Sequence, residues 1–344
     1  MYYSVYTQDI LRGEGESMEK KLFSKLGLMF FIGTIVIYAL QIAVINVVKA
    51  VVPQLMENND ISFLISMLPM YVIGYPIMIA LIRRVPVEQE IPKKKKMTVG
   101  QWLVAFIMCY ALVYISNIIG NVLTAIVGVF KQGQVENTIV NLAMNINPLT
   151  SFLVMVIAAP IAEEYIFRKL LIDRVVKYGE GLAILLSGIL FGLFHGNLNQ
   201  FAYAFVLGCF YGFIYVRTRN VIHTILMHML TNFMGSILGM YMMEKTGYLE
   251  YASAVSLAST QEEIMNLTMS NISGIAIFMS YAMLLFILVI AGVILLILKR
   301  KKFYVNHTSE ELQKGQRFST VALNAGMLLF GIFWVVQIIA QMFR

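Results

Sequence analysis

Nine apolar runs, separated by polar loops, divide this chain along its whole length. They cover roughly residues 26–48, 61–82, 101–130, 148–172, 181–196, 200–216, 221–243, 273–298 and 319–343. A run of about 20 apolar residues is long enough to cross a bilayer as one helix. Helices and closed barrels alone satisfy every backbone polar group in lipid, so these runs predict an all-α polytopic membrane protein. We expect eight or nine transmembrane helices, because the fifth and sixth runs are short.

The composition agrees with a membrane protein and argues against a nucleic-acid-binding one. The chain is 59% hydrophobic and 13% charged, whereas soluble domains carry about 25% charged residues. Its net charge of +7 comes from Lys and Arg residues that cluster at the ends of the runs. The two cysteines, Cys109 and Cys209, both lie inside runs, so they do not predict a disulfide framework.

The basic residues occur at every second boundary between a run and a loop. They are Lys20, Lys21 and Lys25 before the first run, Arg83, Arg84 and residues 93–96 after the second, Lys169, Arg174 and Lys177 after the fourth, Arg217 and Arg219 after the sixth, and residues 299–302 after the eighth. The intervening loops, such as 53–60 and 244–272, are poor in basic residues. The positive-inside rule therefore predicts an integral membrane protein with a cytoplasmic N-terminus.

Acidic residues and histidines are concentrated in the fourth, fifth and seventh runs. Glu163 and Glu164 close the apolar stretch 151–162. A charged side chain at the centre of a membrane helix costs about 2.5–3.5 kcal/mol on insertion scales, so an intramembrane acid indicates a functional site. Runs 1, 2, 8 and 9 are almost entirely aliphatic and aromatic. We predict a reactive centre between helices 4, 5 and 7, with the outer helices as scaffold.

Three short patterns mark this centre. They are Glu163-Glu164-x-x-x-Arg168, Phe191-x-x-x-His195 and His228-x-x-x-Asn232. Residues four apart share one face of a helix, so Glu164 is expected to reach Arg168. At a rise of about 1.5 Å per residue, Glu163 lies about 21 Å from Lys177 and His195 about 21 Å from Gly181. This agreement in depth requires helix 4 to continue beyond Arg168.

These residue types suit hydrolysis by an activated water molecule. A carboxylate such as Glu163 can act as general base, with a histidine holding the water. A histidine N–H and an amide, as in His228 and Asn232, can stabilise the oxyanion of a tetrahedral intermediate. The simpler interpretations are a structural ion pair for Glu164 and Arg168, a packing residue for His223 and a solvated side chain for His307.

Other classes of intramembrane protease are disfavoured by motifs that the sequence lacks. There is no His-Glu-x-x-His, which a site-2-type zinc protease needs. The Ser187-Gly188 pair lacks the glycine two places earlier that a rhomboid protease has, and no Gly-x-Gly-Asp motif of a presenilin-like protease occurs. A site built from glutamate and histidine remains.

The three patterns, in this order and with these separations, resemble the CPBP family of intramembrane proteases over residues 148–243. The family is also called the CAAX protease and bacteriocin-processing family, or ABI family. The resemblance implies that Glu163 and His195 activate the water and that His228 and Asn232 form the oxyanion site. It also implies that Glu164 and Arg168 organise the first motif. One departure is Lys169, which stands where many members have glycine.

The resemblance further implies a peptide or protein substrate, lipidated or not, met within membrane lipid. Family members remove the last three residues of prenylated CAAX proteins or are linked to bacteriocin maturation and self-immunity. We expect a bacterial cell membrane, no nucleic-acid partner, and cleavage near the cytoplasmic side. The rival interpretation is a non-catalytic immunity or scaffold factor, or a proton-coupled transporter.

Metal dependence is open at this stage. Glu163, His195 and His228 could supply three ligands to Zn²⁺ and leave a fourth position for water. A metal-free mechanism uses the same residues, and we favour it because the pairing of His228 with Asn232 suits an oxyanion better than a ligand shell. No cofactor is therefore expected.

Three regions are predicted along the chain. Residues 1–147 carry helices 1–3 and a basic loop, residues 148–243 form the catalytic core, and residues 244–344 contain an external loop followed by the last helices. In that loop, residues 260–263 read as a capping box that opens a short helix.

Overall fold

Helices make up all the regular structure in the part of the chain that the computed structural model describes. Those residues are 2–88, 90, 92–133, 135, 145–308 and 310–343, with side chains from residue 18 onward. The helices are α1 (Tyr2–Val51), α2 (Asn59–Arg83), α3 (Val99–Lys131), α4 (Pro148–Tyr178), α5 (Glu180–Phe194), α6 (Leu198–Thr218), α7 (Val221–Lys245), α8 (Tyr248–Leu257), α9 (Gln261–Ser270), α10 (Ile272–Leu298), α11 (Arg317–Val321) and α12 (Ala325–Met342).

Eight of the described helices are long and apolar enough to cross a membrane. The prediction of an all-α polytopic membrane protein is thus confirmed. The fifth predicted run forms α5, which has only 15 residues. The short helix predicted in the loop 244–272 is α9, where the Thr260 hydroxyl accepts a hydrogen bond from the Glu263 amide at 3.2 Å.

The last predicted span begins later than its apolar run suggested. α12 starts at Ala325 rather than at residue 319, because Asn324 caps it. The Asn324 Oδ1 atom accepts a hydrogen bond from the Met327 amide at 3.0 Å. A capping side chain satisfies an amide that the first turn of a helix leaves unpaired. The residues before the cap form the separate short helix α11.

Two apolar clusters hold the bundle together. The first joins α1, α2, α4, α5 and α12 around Phe30, Phe167 and Trp334. The second joins α3, α6, α7 and α10 around Tyr211 and Met227. α4 packs against α7, and α5 packs against α6. The helices that carry the three sequence patterns therefore meet between the two clusters.

Helix α4 contains two widened, π-helical turns, at Phe152–Ala158 and Tyr165–Leu170. Pro160 follows the first of them and has no amide hydrogen to donate to the preceding turn. Single π-helical turns inside α-helices frequently occur at functional sites. The two acidic residues of α4 lie on the short α-helical segment between the two turns, Ala159–Glu164.

The basic end of α4 is anchored in protein rather than left in lipid. The Arg174 Nε atom donates to the Val85 carbonyl at 2.7 Å. Lys169 pairs with Asp173 at 2.5 Å, and Asp173 also accepts a hydrogen bond from Tyr215 at 2.8 Å. The helix continues past Arg168 to Tyr178, as the depth argument required.

Helices α1 and α12 cross so closely that their backbones touch. A Cβ atom added to Gly326 would lie 1.8 Å from the Ser24 carbonyl oxygen. We expect Gly326→Ala to destabilise the protein by about 1–3 kcal/mol, the usual cost of overpacking. Thermal unfolding in detergent would measure the effect. Gly331→Ala is the matched control, because a Cβ there meets nothing within 4 Å. Equal losses for the two variants would contradict the close crossing.

Candidate functional site

A cavity of about 490 Å³ lies between helices α2 to α7. Glu163, His195, His228 and Asn232, one or two from each sequence pattern, line it. Glu164 and Arg168 are fully buried. The structure therefore brings four predicted site residues to one cavity. The ion pair of Glu164 and Arg168 lies behind the cavity wall, in the surrounding protein.

Glu164 links Arg168 to His228. Its Oε2 atom lies 3.0 Å from the Arg168 Nε atom, and its Oε1 atom lies 3.1 Å from the His228 Nδ1 atom. The pairing with Arg168 follows from the i,i+4 spacing. The contact with His228 joins two helices 64 residues apart in sequence, so no local spacing could have predicted it.

His228 faces Glu163 with its second ring nitrogen. The Nε2 atom lies 3.8 Å from the Glu163 Oε2 atom. This distance is too long for a direct hydrogen bond. It leaves room for an oxygen atom that contacts both groups, as bridging water does in many polar sites. Because a carboxylate can only accept, the His228 Nδ1 atom that meets Glu164 carries a proton.

His195 lies just beyond the end of α5, at the position that caps its C-terminus, rather than inside the helix as predicted. Its Nδ1 atom lies 2.8 Å from the Phe191 carbonyl oxygen. A carbonyl cannot donate, so Nδ1 carries a proton and the Nε2 atom of the neutral ring is an acceptor.

The turn after His195 is held by Gly196 and Asn197. Gly196 has a φ of +67°, which glycine adopts without strain. The Asn197 side-chain Nδ2 atom donates to the His195 backbone carbonyl at 3.1 Å. The Asn197 Oδ1 atom accepts from the Gln200 backbone amide at 2.8 Å. These two bonds fix the backbone that carries the imidazole of His195.

Phe191 has a role that the sequence pattern did not reveal. Its ring centroid lies 4.3 Å from the Arg168 Cζ atom. The ring centroid of Tyr211 lies 5.6 Å from the same atom. The two Arg168 Nη atoms have no hydrogen-bond partner among the described residues. Aromatic faces can stabilise such a buried cation. Phe191 also contacts the rings of His195 and His228 edge-on, at 4.7 and 5.8 Å.

Asn232 lines the cavity and also holds α4 in place. Its Nδ2 atom donates to the Met155 carbonyl at 2.8 Å, within the first π-helical turn. An amide has two N–H bonds, so one donor is left over. The sequence predicted that Asn232 shares a helix face with His228. It did not indicate the hydrogen bond from Asn232 to the Met155 carbonyl.

Helices α2, α3 and α6 contribute to the cavity in a way that the sequence prediction missed. Tyr71 and Tyr75 line it from α2, Asn117 from α3, and Gln200 and Tyr203 from α6. The second run was predicted to be scaffold, and the cavity was predicted between helices 4, 5 and 7 alone. The i,i+4 spacing of Tyr71 and Tyr75 was the available signal for one polar face on that helix.

The two remaining histidines lie away from the cavity. His223 Nε2 accepts a hydrogen bond from the Met97 amide at 3.1 Å, which confirms its prediction as a packing residue. His307 is exposed, as predicted, but its Nδ1 atom pairs with the Glu311 carboxylate at 2.5 Å. This hydrogen bond lowers the pKa of the Glu311 carboxyl.

The cavity occupies a defined part of the helices. It extends from the middle of the bundle toward the ends opposite the basic residues: residues 154–163 line it from α4 and residues 228–240 from α7. With a cytoplasmic N-terminus, that end faces the outer side of the membrane. The prediction of cleavage near the cytoplasmic side would instead need this end to face the cytoplasm. Hydropathy does not indicate which half of a helix lines a cavity, so the orientation and the side of cleavage both stay predictions.

The predicted zinc set does not form a ligand group in this arrangement. Among the described residues, no three His, Cys, Asp or Glu side chains lie together as a metal site requires. The contacts of His228 with Glu164 and of His195 with the Phe191 carbonyl use the Nδ1 atoms alone. As they stand, the side chains do not fit a metal, and the expectation of a metal-free site stays a prediction.

Comparison with known proteins bears on the same region of the chain. Residues 145–234 match the family described as type II CAAX prenyl endopeptidase Rce1-like. Over 154 residues the chain is 28% identical to the membrane-embedded CAAX protease MroQ of Staphylococcus aureus (strain USA300). These two matches support the resemblance of residues 145–234 to the CPBP family. No solved structure matches the chain.

The matched region, residues 145–234, contains α4 to the middle of α7, and every predicted site residue lies in it. The similarity to MroQ covers 42% of this chain and 60% of that protein, so it spans less than two thirds of the relative. The two matches support intramembrane protease activity. The division into three regions and the orientation of the N-terminus stay predictions.

Proposed function

We propose that this protein is an intramembrane endopeptidase that hydrolyses a peptide bond with a water molecule activated by Glu163. The observation that carries the proposal is the gap of 3.8 Å between the Glu163 carboxylate and the His228 Nε2 atom, on the wall of a cavity within the helix bundle. A base and a donor that face each other across such a gap can act on one carbonyl group and one water molecule.

Glu163 takes a proton from the water molecule while the water oxygen attacks the carbonyl carbon of the peptide bond. His195 assists, because its Nε2 atom accepts the second hydrogen bond of the water and so orients the attacking lone pair. The hydrogen bond from His195 Nδ1 to the Phe191 carbonyl maintains this tautomer. A positioned general base accelerates such a step by about 10²–10⁴-fold.

His228 and Asn232 stabilise the negative oxygen of the tetrahedral intermediate. His228 donates from Nδ1 to Glu164, and its Nε2 atom donates to the oxyanion when that nitrogen carries a proton. Arg168 offsets the charge of the Glu164 carboxylate. Asn232 contributes the N–H that Met155 leaves free. When the intermediate collapses, the C–N bond breaks and Glu163 returns its proton to the leaving amine.

The substrate is a peptide or protein met within the membrane. The relative MroQ is named a CAAX protease, and this supports a peptide or protein substrate here without fixing its sequence. CAAX-type, bacteriocin-processing and self-immunity-related substrates all fit a glutamate and histidine site. Membrane lipid surrounds the exposed apolar side chains of the bundle, such as Ile118 and Phe286.

Purified full-length protein in lipid vesicles, supplied with a quenched fluorescent apolar peptide, tests the proposal. His195→Ala and His228→Ala are each expected to lower kcat by about 10²–10³-fold. His307→Ala is the matched control and should cleave like the unaltered protein. Full activity in both site variants would overturn the proposal. A chelator added to the same assay should leave cleavage unchanged, whereas a loss that Zn²⁺ restores would overturn the metal-free mechanism.

A further inference from the structure

Two exposed basic segments converge on the last turn of helix α6. The Lys95 backbone amide donates to the Thr218 carbonyl at 2.7 Å. The ring of Tyr304 stacks on Arg217, whose Cζ atom lies 4.2 Å from the ring centroid. Because Arg217 and Thr218 are neighbours in α6, the two segments meet at one helix end. The segments, which together are called the basic surface below, are residues 93–96 before α3 and residues 300–302 after α10.

The packing of α3 against α10 brings the two segments to a similar level. A Cβ atom added to Gly292 of α10 would lie 2.4 Å from the Ile107 carbonyl oxygen of α3, so the helices cross closely there. From this crossing the start of α3 at Val99 is about 12 Å away and the end of α10 at Leu298 about 9 Å away. Each segment therefore leaves its helix at the same end of the bundle.

The carboxylates near the end of α6 are already engaged by inner residues. Glu180 accepts a hydrogen bond from the Asn306 backbone amide at 2.7 Å, and it lies 3.4 Å from the Arg217 Nη2 atom. Asp173 lies 3.7 Å from the Arg219 Nη1 atom. In the part of the chain that the structure describes, no side chain of the basic surface takes part in an ion pair. The positive charge of this surface is therefore left for a partner outside the chain.

Exposed apolar side chains border the basic surface on the side of the membrane. Val99 and Leu103 are exposed in the first turns of α3, and Leu298 is exposed at the end of α10. Trp102 lies between the first two, partly exposed, and its Nε1 atom donates to the His223 carbonyl at 3.2 Å. Tryptophan is enriched where membrane meets water. The basic surface therefore lies at the level of lipid headgroups, next to side chains that acyl chains can cover.

We propose that the basic surface binds the headgroup phosphate of an anionic phospholipid, whose acyl chains lie along the exposed faces of α3 and α10. Clusters of basic residues beside a transmembrane helix attract anionic lipids, and each such residue strengthens binding by about 5-fold. Two segments that meet at one helix end concentrate this attraction on one headgroup. The proposal concerns lipid binding and does not depend on peptide cleavage.

Quenching of Trp102 fluorescence by brominated lipid measures this binding. Purified full-length protein is placed in phosphatidylcholine vesicles that contain increasing fractions of phosphatidylglycerol with brominated acyl chains. The other tryptophan of the chain, Trp334, is buried, so the change in fluorescence reports on Trp102. We expect half-maximal quenching at a mole fraction at least about 10-fold lower than with equally brominated phosphatidylcholine. Equal quenching by the two lipids would overturn the proposal.

Two variants that remove charge test whether the segments form one site. Replacing each of residues 93–96 by Gln, or each of residues 300–302 by Gln, should in either case remove most of the preference for phosphatidylglycerol. Replacing residues 93–96 by Arg keeps the charge and should keep the preference. The matched control combines Lys20→Gln, Lys21→Gln and Lys314→Gln, which remove three exposed charges elsewhere and should also keep the preference.

The control and a competing anion distinguish a lipid site from two simpler effects. Equal losses in the control and in the two variants would show a general attraction of basic residues for an anionic membrane, and would overturn the proposal of one site. Inorganic phosphate, added at constant ionic strength, has the headgroup chemistry but no acyl chains, and it should leave the quenching unchanged. Displacement of the brominated lipid by phosphate alone would overturn the assignment to a lipid.

Discussion

Glu163→Gln is expected to abolish peptide cleavage while the protein keeps its fold. Glutamine has the shape of glutamate but cannot take a proton from water, so we expect a loss of about 10²–10⁴-fold in kcat, the usual contribution of a general base. Glu163 lines the cavity and is not part of the buried contact between Glu164 and Arg168. The thermal unfolding midpoint should therefore stay close to that of the unaltered protein.

Two further measurements make this result specific. Glu310→Gln removes an exposed carboxylate that pairs with Lys177 at 2.8 Å, on the opposite end of α4, and should leave cleavage unchanged. The Glu163→Gln variant should still bind the peptide, because the cavity walls are unaltered, and it should retain substrate that the active protein releases as products. Cleavage by Glu163→Gln at the normal rate would rule out Glu163 as the base.

The fold was largely predictable from the sequence because hydrocarbon imposes strong rules. Runs of apolar residues predicted the helices that cross the membrane, and most helix ends lie within a few residues of the predicted ones, whereas α1 begins well before residue 26. The start of α12 was placed too early because Val321, Ala322 and Leu323 extend the apolar run, and the cap at Asn324 decides the boundary. α8 was not predicted, because its residues lack a capping signal such as the one at Thr260.

The candidate site was predictable where spacing along one helix determines a contact. The pair of Glu164 and Arg168 follows from the i,i+4 rule. Contacts between helices were not predictable in this way. The hydrogen bond that His228 donates to Glu164 and the stacking of Phe191 on Arg168 are two such contacts. The participation of α2 was missed for a related reason. Its tyrosines are amphipathic, and hydropathy does not distinguish a face toward lipid from a face toward a cavity.

Glu164→Gln is expected to destabilise the protein strongly, whereas Glu163→Gln is expected to leave its stability almost unchanged. Arg168 is fully buried, and Glu164 is its ion-pair partner among the described residues. Removing one member of a buried ion pair leaves the other charge uncompensated and costs about 3–5 kcal/mol. The variant also loses the carboxylate that holds His228 Nδ1, so cleavage should fall in the protein that still folds. Chemical unfolding in detergent micelles measures the first effect.

A double-mutant cycle separates the ion pair from the general cost of altering the core. Arg168→Met removes the cation, and the combination with Glu164→Gln removes both charges. The double variant should be more stable than the sum of the two single losses predicts, because neither charge is then left buried alone. Additive losses would show that the two side chains do not depend on each other.

On the surface, Glu310→Gln removes a partner of Lys177 and should change the free energy of unfolding by less than about 1 kcal/mol. The contrast between these two lysine and arginine pairs then measures what burial adds to the contact between Glu164 and Arg168.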